Sequence, residues 1–227
     1  MKRIYASIIA VLLISTCIIS CSKTGTMLYD EILLNEGWTV QSSAHAKQDG
    51  RTLSSPGANT DDWYNATVPS TVMGVLTAEG LYKDLMTGTN YKNADRSIFD
   101  TAWWYRTTFE LPGLTEGKHV KLLFDGLSYR ADIWLNGELI ASKDSIFGPF
   151  CRFSFDITHL AQEKNILAVE VYRAQKADLN IGFVDWNPRP LDENMGLFRE
   201  VRVITTGAVD MTNTWVKTKV NTETLDE

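Results

Sequence analysis

Short segments in which apolar and polar side chains alternate are the feature that most constrains the fold of this chain. A period of two residues is typical of half-buried β-strands. Asn136-Gly137 joins two such segments, and this dipeptide suits a two-residue type I′ hairpin turn, in which both residues have positive φ. The pattern predicts an all-β fold, an antiparallel β-sandwich. The alternation recurs at 104–111, 120–124, 131–135, 138–141, 153–157, 167–172, 197–204 and 214–220.

Short helices and long loops are expected to accompany these strands. Residues 28–34 predict a short helix that ends at Gly37, because glycine is common just after a helix C-terminus. Ser70 or Thr71 is expected to cap a second helix that ends near Gly80. The segments 42–62 and 82–97 show no clear period and are predicted to be loops.

The first twenty residues have the features of a secretory signal peptide. A basic start at Lys2 and Arg3 precedes an apolar run over residues 8–19, which is too short to span a bilayer comfortably. Ile18-Ile19-Ser20-Cys21 resembles a bacterial lipobox, so we expect cleavage before Cys21 and lipidation of that residue. Residues 21–27 would then be a tether, and the protein would be lipid-anchored at the bacterial cell envelope, on the periplasmic or the outer surface. The alternative is an ordinary signal peptide with a cysteine nearby.

Composition excludes several classes of function. The chain carries 22 Lys and Arg against 28 Asp and Glu, a net charge of −6, and no basic cluster, so we expect no nucleic-acid partner. The histidines at 45, 119 and 159 are far apart and show no spacing for a metal, so no metal and no cofactor are expected. After cleavage only Cys21 and Cys151 remain, and Cys151 is predicted to be a buried apolar residue.

The loop around residues 183–190 holds the best candidates for a binding site. Asp185, Trp186 and Asn187 precede Pro188 and Pro190, which fix φ and cannot donate to a β-ladder. An aromatic face beside a carboxylate and an amide is suited to a sugar, because the ring covers C–H surface and the polar groups bind hydroxyls. The alternative is that Trp186 only packs on the edge of the domain.

An ordered set of motifs resembles the N-terminal domain of glycoside hydrolase family 2, in the branch of the β-mannosidases and exo-β-glucosaminidases. The resemblance covers residues 38–203 and implies a jelly-roll, galactose-binding-like sandwich. The motifs are Gly37-Trp38, Val68-Pro69-Ser70-Thr71-Val72, Trp103-Trp104-Tyr105-Arg106, Ala131-Asp132-Ile133-Trp134-Leu135-Asn136-Gly137, Phe155-Asp156-Ile157-Thr158, Asp185-Trp186-Asn187-Pro188 and Asn194-Met195-Gly196-Leu197-Phe198-Arg199-Glu200-Val201.

The resemblance also implies a division of the chain and a partner. The jelly roll would occupy residues 28–207, and residues 208–227 would be the first strand of a truncated immunoglobulin-like domain. In the family both catalytic carboxyl groups come from a downstream barrel, and no alternating βαβα pattern follows residue 203. We therefore expect a domain fragment of a secreted glycosidase with no catalytic residue of its own. Its partners would be that barrel and a terminal β-linked mannoside or glucosaminide, with membrane contact through the lipid only.

Three residues of the loop carry the implied sugar contact. Asp185 matches the hydroxyl-binding aspartate of the family and Trp186 the tryptophan that follows it. Asn187 replaces a glycine, and Val184 replaces the first tryptophan of the motif. Two alternatives stay open: Asp185 pairs with Arg189 to hold the loop, or the whole chain is a free-standing, lipid-anchored carbohydrate-binding module. The tryptophans at 103, 104 and 134 are expected to pack in the core or against another domain.

Overall fold

A computed structural model describes residues 29–179 and 189–224 of the chain. Strands dominate this part, and the helices are short. The helices are α1 (Ser43–Ala46), α2 (Gly50–Leu53), α3 (Val72–Ala78) and α4 (Asn90–Asn93), with a 3₁₀ turn at Ser97–Phe99. The strands are β1 (Tyr29–Leu33), β2 (Trp38–Ser42), β3 (Tyr64–Ala66), β4 (Ser70–Thr71), β5 (Trp103–Glu110), β6 (His119–Phe124), β7 (Arg130–Leu135), β8 (Glu138–Ala141), β9 (Phe153–Asp156), β10 (Lys164–Tyr172), β11 (Gly196–Leu197) and β12 (Val201–Thr206).

The strands form two main sheets that pair antiparallel throughout. One sheet has four strands in the order β1-β12-β6-β9, and the other has six in the order β3-β2-β5-β10-β7-β8. The short strands β11 and β4 pair separately. The prediction of an all-β antiparallel sandwich is confirmed.

Apolar side chains from both sheets meet in one core. Tyr105, Leu122, Phe124 and Ile133 are fully buried there, as the period-two pattern requires. A second, smaller cluster lies where α2 covers Trp104. Burial of one large apolar side chain stabilises a fold by about 1.5–3 kcal/mol, so the two clusters together hold the sheets and α2 in place. The predicted packing role of Trp103 and Trp104 agrees with this burial.

The Asn136-Gly137 hairpin is confirmed. Asn136 has φ of 51° and Gly137 has φ of 88°, the two positive values that a type I′ turn requires. The Asn136 side chain adds a structural role, because its Nδ2 donates to the Leu160 carbonyl and its Oδ1 accepts from the Ile166 backbone N–H, both at 2.9 Å. The Asn136 side chain therefore ties the turn to β10 and to the segment that precedes β10.

The capped helix after Ser70 is also confirmed, whereas the first predicted helix is wrong. In α3, Thr71 is the N-cap and accepts from the Gly74 backbone N–H at 3.2 Å. Residues 29–33 form strand β1, not a helix, and pair along their whole length with β12. Backbone pairing with a strand from the far end of the chain decides the conformation here, which local propensity does not report. The loop predicted at 42–62 contains the short helices α1 and α2.

Two further expectations need correction. The strand predicted at 214–220 is wrong: residues 208–224 form no strand, and Met211, Trp215 and Val216 are exposed. A strand without a partner has unpaired backbone groups and no buried face, so it is not stable alone. The assignment of 208–227 to a second domain stays a prediction. Cys151 is exposed rather than buried, because it lies just before β9 and outside its ladder.

Within 29–179 and 189–224, no helix has the length and apolar content to cross a membrane.

Candidate functional site

The predicted site residues lie outside the part of the chain that the structure describes. Asp185, Trp186 and Asn187 belong to residues 180–188, and Cys21 belongs to residues 1–28. The structure does describe the two segments between which the 180–188 loop is held. We name residues 173–179 the leading flank and residues 189–197 the trailing flank. Their contacts define how the loop is presented.

The trailing flank is built into the core. Leu191 and Met195 are buried, and Asp192 is only 1% exposed. The flank ends in β11, which pairs with β4 directly before helix α3. The chain that leaves the loop is therefore fixed within a few residues of its end.

Asp192 is the polar centre of this flank. Its Oδ2 accepts from the Met73 backbone N–H in the first turn of α3, and its Oδ1 accepts from the Asn194 backbone N–H, both at 2.9 Å. Burial raises the pKa of this carboxyl, while hydrogen bonds from Met73, Thr71 and Asn194 act in the opposite direction. Because a helix N-terminus carries free N–H groups and a partial positive charge, the carboxylate ties the flank to α3.

Gly196 allows the close approach that completes this junction. Its φ is +147°, and a β-carbon at this position would lie 2.7 Å from the Ser70 carbonyl oxygen, the Thr71 Cα and the Tyr105 hydroxyl. The Gly196 backbone N–H and C=O exchange hydrogen bonds with Ser128 at 2.8 and 2.9 Å. The Tyr105 hydroxyl donates to the Ser70 carbonyl at 3.2 Å. No side chain larger than hydrogen fits here without displacing backbone.

The start of the trailing flank is held at the surface. Arg189 pairs with Glu193 through Nε and Oε1 at 2.6 Å. The Tyr91 hydroxyl donates a short hydrogen bond to the Arg189 carbonyl, and the Arg96 guanidinium lies 5.8 Å from the centre of the Tyr91 ring. Arg189 thus has an acidic partner within the flank itself. The alternative in which Asp185 pairs with Arg189 involves a residue outside the described ranges and stays untested.

The leading flank is held by two ion pairs, and the first joins Arg173 Nη2 to Asp100 Oδ1 at 2.6 Å. Arg130 Nη2 lies 2.6 Å from Asp178 Oδ1, and the Gln175 backbone N–H donates to Asp178 Oδ2 at 2.7 Å. The Gln175 hydrogen bond, followed by the Arg130 contacts, lowers the pKa of Asp178 below its usual value. Leu179, the last described residue before the loop, is 88% exposed. This flank therefore lies on the surface and is not part of the core.

Aromatic rings and arginines surround the same end of the sandwich. The Arg130 guanidinium lies 5.0 Å from the Phe147 ring centre and 5.2 Å from that of Tyr129. Phe150 and Phe198 pack edge to face at 5.9 Å. Because Arg130 also holds Asp178, it joins the leading flank to exposed aromatic surface of the kind that sugars and partner domains contact.

One pair of carboxylates could suggest acid–base chemistry, but its contacts are structural. Asp132 and Glu170 are cross-strand partners on β7 and β10. The Tyr172 hydroxyl lies 2.9 Å from Asp132 Oδ2 and 2.6 Å from Glu170 Oε2, and Ser43 donates to Glu170 at 2.6 Å. Burial, followed by these two acids, raises the pKa of the Tyr172 phenol. The hydroxyls of Tyr172 and Ser43 therefore occupy both carboxylates and hold α1 against the sheet.

Sequence reasoning missed the role of Asp192. A signal was available, because an aspartate often accepts from the backbone N–H two residues later, here Asn194. Its contact with Met73 depends on the fold and has no local signal. Within the described ranges, no group of three or more His, Cys, Asp or Glu residues is placed to hold a metal ion.

The antiparallel sandwich of a four-stranded and a six-stranded sheet has the architecture of galactose-binding-like domains. Residues 38–181 match the family described as glycosyl hydrolase 2 galactose-binding domain-like. The chain belongs to glycoside hydrolase family 2, as its N-terminal galactose-binding-like domain. The resemblance inferred from the motifs is confirmed, including its branch.

The relatives belong to the predicted branch of the family, and the chain covers only part of each of them. The chain is 36% identical over 213 residues to the exo-beta-D-glucosaminidase of Hypocrea jecorina, covering 91% of this chain and 24% of that protein. It is 31% identical over 208 residues to a mannosylglycoprotein endo-beta-mannosidase of Lilium longiflorum, covering 78% of this chain and 21% of that protein. The crystal structure of Amycolatopsis orientalis exo-chitosanase CsxA superposes with a TM-score of 0.76 at 35% identity, over 87% of this chain and 23% of that one. The chain thus spans about a quarter of these relatives' length.

Proposed function

We propose that this chain is the non-catalytic N-terminal domain of a secreted hydrolase that removes terminal β-linked sugars, and that its 180–188 loop contributes to the subsite for the terminal sugar. The observation that carries the proposal is the match of 91% of the chain to 24% of an exo-beta-D-glucosaminidase. A domain in this position supplies binding groups, and the two carboxyl groups that glycoside hydrolysis requires come from the remainder of the enzyme.

A β-linked glucosaminide is the favoured substrate, with a β-mannoside as the second candidate. Relatives described as exo-beta-D-glucosaminidases are 31–37% identical over 77–91% of the chain, and those described as beta-mannosidases are 28–33% identical over 52–78% of it. The acidic character of the chain, with a net charge of −6, is also compatible with an amino sugar, which carries a positive charge when protonated.

The anchored flanks support a role for the loop in binding. Asp192 and Gly196 fix the trailing flank, so the chain on this side of residues 180–188 has little entropy left to lose when a sugar binds. In this proposal the ionised Asp185 accepts hydrogen bonds from two sugar hydroxyls, and Trp186 covers the apolar face of the ring. Asn187 contributes an amide that both donates and accepts.

Replacement of Asp185 in a version of the protein that contains the catalytic region tests this role. Hydrogen bonds to a charged group contribute about 1.5–3 kcal/mol, so Asp185→Ala should lower kcat/KM about ten- to a hundred-fold and leave the melting temperature nearly unchanged. Asp61→Ala is the matched control, because Asp61 is exposed on a different segment. The purified chain without the catalytic region should hydrolyse neither aryl β-glucosaminides nor aryl β-mannosides.

Three results would contradict the proposal. If Asp185→Ala lost stability but kept its activity per folded molecule, Asp185 would have a structural role and no role in sugar binding. Turnover by the chain alone, after rigorous purification, would show that catalytic groups lie within it. A coding region that encodes no catalytic barrel beyond residue 227, together with sugar binding by the chain alone, would favour the free-standing carbohydrate-binding module.

We also propose that the protein is a lipoprotein of the bacterial cell envelope. The basic start, the apolar run and Ile18-Ile19-Ser20-Cys21 support this location. Cys21→Ala should move the protein from the membrane fraction to the soluble fraction of lysed cells, with Cys151→Ala as the matched control. Unchanged membrane association of Cys21→Ala would remove the lipid anchor from the proposal.

A further inference from the structure

A groove lies where the two sheets of the sandwich end side by side. Strand β8 is the outermost strand of the six-stranded sheet, and β9 is the outermost strand of the four-stranded sheet. The space between them has a volume of about 650 Å³. Sites for small ligands typically measure about 300–1,000 Å³, so this groove could accept several sugar rings in a row.

The floor of the groove is apolar and partly open to solvent. Leu139, Ile140, Phe155 and Leu160 line it. Leu139 is 46% exposed, and the Phe155 ring is half-buried and held edge to face on Phe124 at 6.2 Å. Apolar surface of this kind packs against the C–H faces of sugar rings.

The rim of the groove is acidic. Glu138 begins β8 and Asp156 ends β9, and both line the groove and are exposed. Hydrogen bonds from Thr158, and more weakly the charges of His119 and His159, lower the pKa of Asp156, so this carboxyl stays ionised at neutral pH. Among the described residues, neither acid forms an ion pair with a lysine or arginine. Ser154 and His159 also line the groove.

We propose that the groove between β8 and β9 binds an oligosaccharide of β-linked glucosamine, as a second sugar site separate from the 180–188 loop. The argument for this occupant is charge complementarity, because protonated amino groups along the oligosaccharide would meet the exposed acidic side chains of Glu138 and Asp156 above an apolar floor. The choice of an amino sugar rests on the proposed function of the domain. Neither acid has an assigned role in the loop subsite.

The register of β7 separates the two sites. Arg130, which holds the leading flank of the loop, pairs across from Tyr172 at one end of β7. Leu135 pairs across from Glu138 at the other end. A strand of this length spans about 17 Å at ~3.4 Å per residue, so the groove lies at the opposite end of β7 from the Arg130 anchor of the leading flank. Binding at the groove would therefore leave that anchor undisturbed and raise the local concentration of polymer.

Titration of the purified full chain with a fully deacetylated glucosamine hexasaccharide tests the groove, with calorimetry as the readout. We expect binding that weakens as the salt concentration rises, because the contacts are ionic and exposed. Glu138→Gln and Asp156→Asn should each raise Kd about three- to ten-fold, and Leu139→Ser should raise it similarly through lost apolar contact. Glu116→Gln is the matched control, because Glu116 is exposed in the turn between β5 and β6 and should leave Kd unchanged.

Each alternative has a distinct outcome. Equal affinity for the neutral N-acetylated hexasaccharide would overturn the charge argument, and unchanged Kd in all three groove variants would place any binding elsewhere. No heat of binding at low salt would overturn the proposal outright, provided that thermal melting shows a folded chain. An edge strand also offers unpaired backbone groups to another strand. A dimer in sedimentation that Leu139→Ser dissociates would assign the groove to a second copy of the chain.

The result is independent of the test on Asp185. Groove binding by this chain would stand if Asp185→Ala left the activity of the longer enzyme unchanged, and only the loop subsite would then be lost. Absence of groove binding, with a strong effect of Asp185→Ala, would remove the second site and leave the domain assignment in place.

Discussion

The two flanks of the 180–188 loop are anchored in opposite ways. The trailing flank has its polar anchor, Asp192, at 1% exposure beneath α3, and it continues into β11. The leading flank leaves β10 at Tyr172 and ends at Leu179, which is 88% exposed, with the Arg173–Asp100 and Arg130–Asp178 ion pairs as its anchors. The trailing flank is thus part of the core, and the leading flank is attached to the surface.

The difference in burial indicates which of the two flanks opens more readily. A segment whose backbone and polar groups are buried opens only with large parts of the fold, whereas an exposed segment opens locally at low cost. We therefore expect the leading flank to open locally more readily than the trailing flank. Substitutions in the trailing flank should lower the stability of the whole fold, whereas substitutions in the leading flank should mainly increase local opening.

Gly196→Ala should produce the largest effect, because it forces a β-carbon into the core junction of the trailing flank. The new atom would lie 2.7 Å from two backbone atoms and from the Tyr105 hydroxyl, at a φ of +147° that L-residues rarely adopt. Overpacking against backbone, together with this strain, should destabilise the fold by about 3 kcal/mol or more. The melting temperature should then fall by about 6–12 °C.

Gly57→Ala is the matched control for this substitution. Gly57 also has positive φ, +85°, but a β-carbon there would meet no atom within 4 Å. Its cost should be limited to backbone strain, about 1–2 kcal/mol. Equal losses in the two variants would mean that the close approach at Gly196 contributes nothing beyond its backbone angle.

Asp192→Asn should have an intermediate effect. An asparagine keeps one acceptor but turns its NH₂ group towards either the Met73 or the Asn194 backbone N–H, so one donor loses its partner at a buried site. A buried donor without a partner costs about 1–3 kcal/mol. Urea unfolding at pH 7 should show a loss in this range, and Asp61→Asn, at an exposed position, should show almost none.

The pH dependence of Asp192→Asn has a definite sign. Burial raises the pKa of Asp192 above the unfolded value of 3.8, so the folded state binds this proton more tightly than the unfolded state. The stability that the carboxyl contributes is therefore fully present below pH 3.8 and is lost as the pH rises through the folded pKa. The advantage of the wild type over Asp192→Asn should grow as the pH falls from 7 to about 4. A constant difference across this range would show that the carboxyl is not desolvated.

Local patterns predict the parts of the fold whose partners are near in sequence. The Asn136-Gly137 hairpin and the Thr71 cap of α3 depend on residues within a few positions, and both are confirmed. Residues 29–33 were misassigned because their conformation depends on pairing with β12, at the other end of the described chain. Cys151 was misassigned for a related reason, because an apolar residue type does not report whether a ladder extends to its position.

The candidate site shows the same limit. Asp185, Trp186 and Asn187 were selected by residue type and by the family resemblance, and they lie outside the described ranges. The groups that frame the loop had weaker signals: Asp192 is one acid in a polar run, and Arg130 and Asp178 are separated by almost fifty positions. A contact of this separation is set by the register of β7 against β10, which a single sequence does not specify.

Asp178→Asn should have the smallest global effect and the clearest local one. The Arg130–Asp178 pair lies near the surface, and exposed ion pairs stabilise folds by less than about 1 kcal/mol. Because its folded pKa is lowered, the contribution of Asp178 is present above about pH 4 and is lost as the pH falls through the folded pKa, so the difference from wild type should vanish at acid pH. At pH 7 limited proteolysis near Leu179 should be several-fold faster than in the wild type, whereas Glu110→Gln, which breaks the exposed Lys164–Glu110 pair elsewhere, should leave that rate unchanged. Cleavage at the wild-type rate in Asp178→Asn would mean that the Arg173–Asp100 pair holds the leading flank without Asp178, and that the contrast between the two flanks is smaller than their burial indicates.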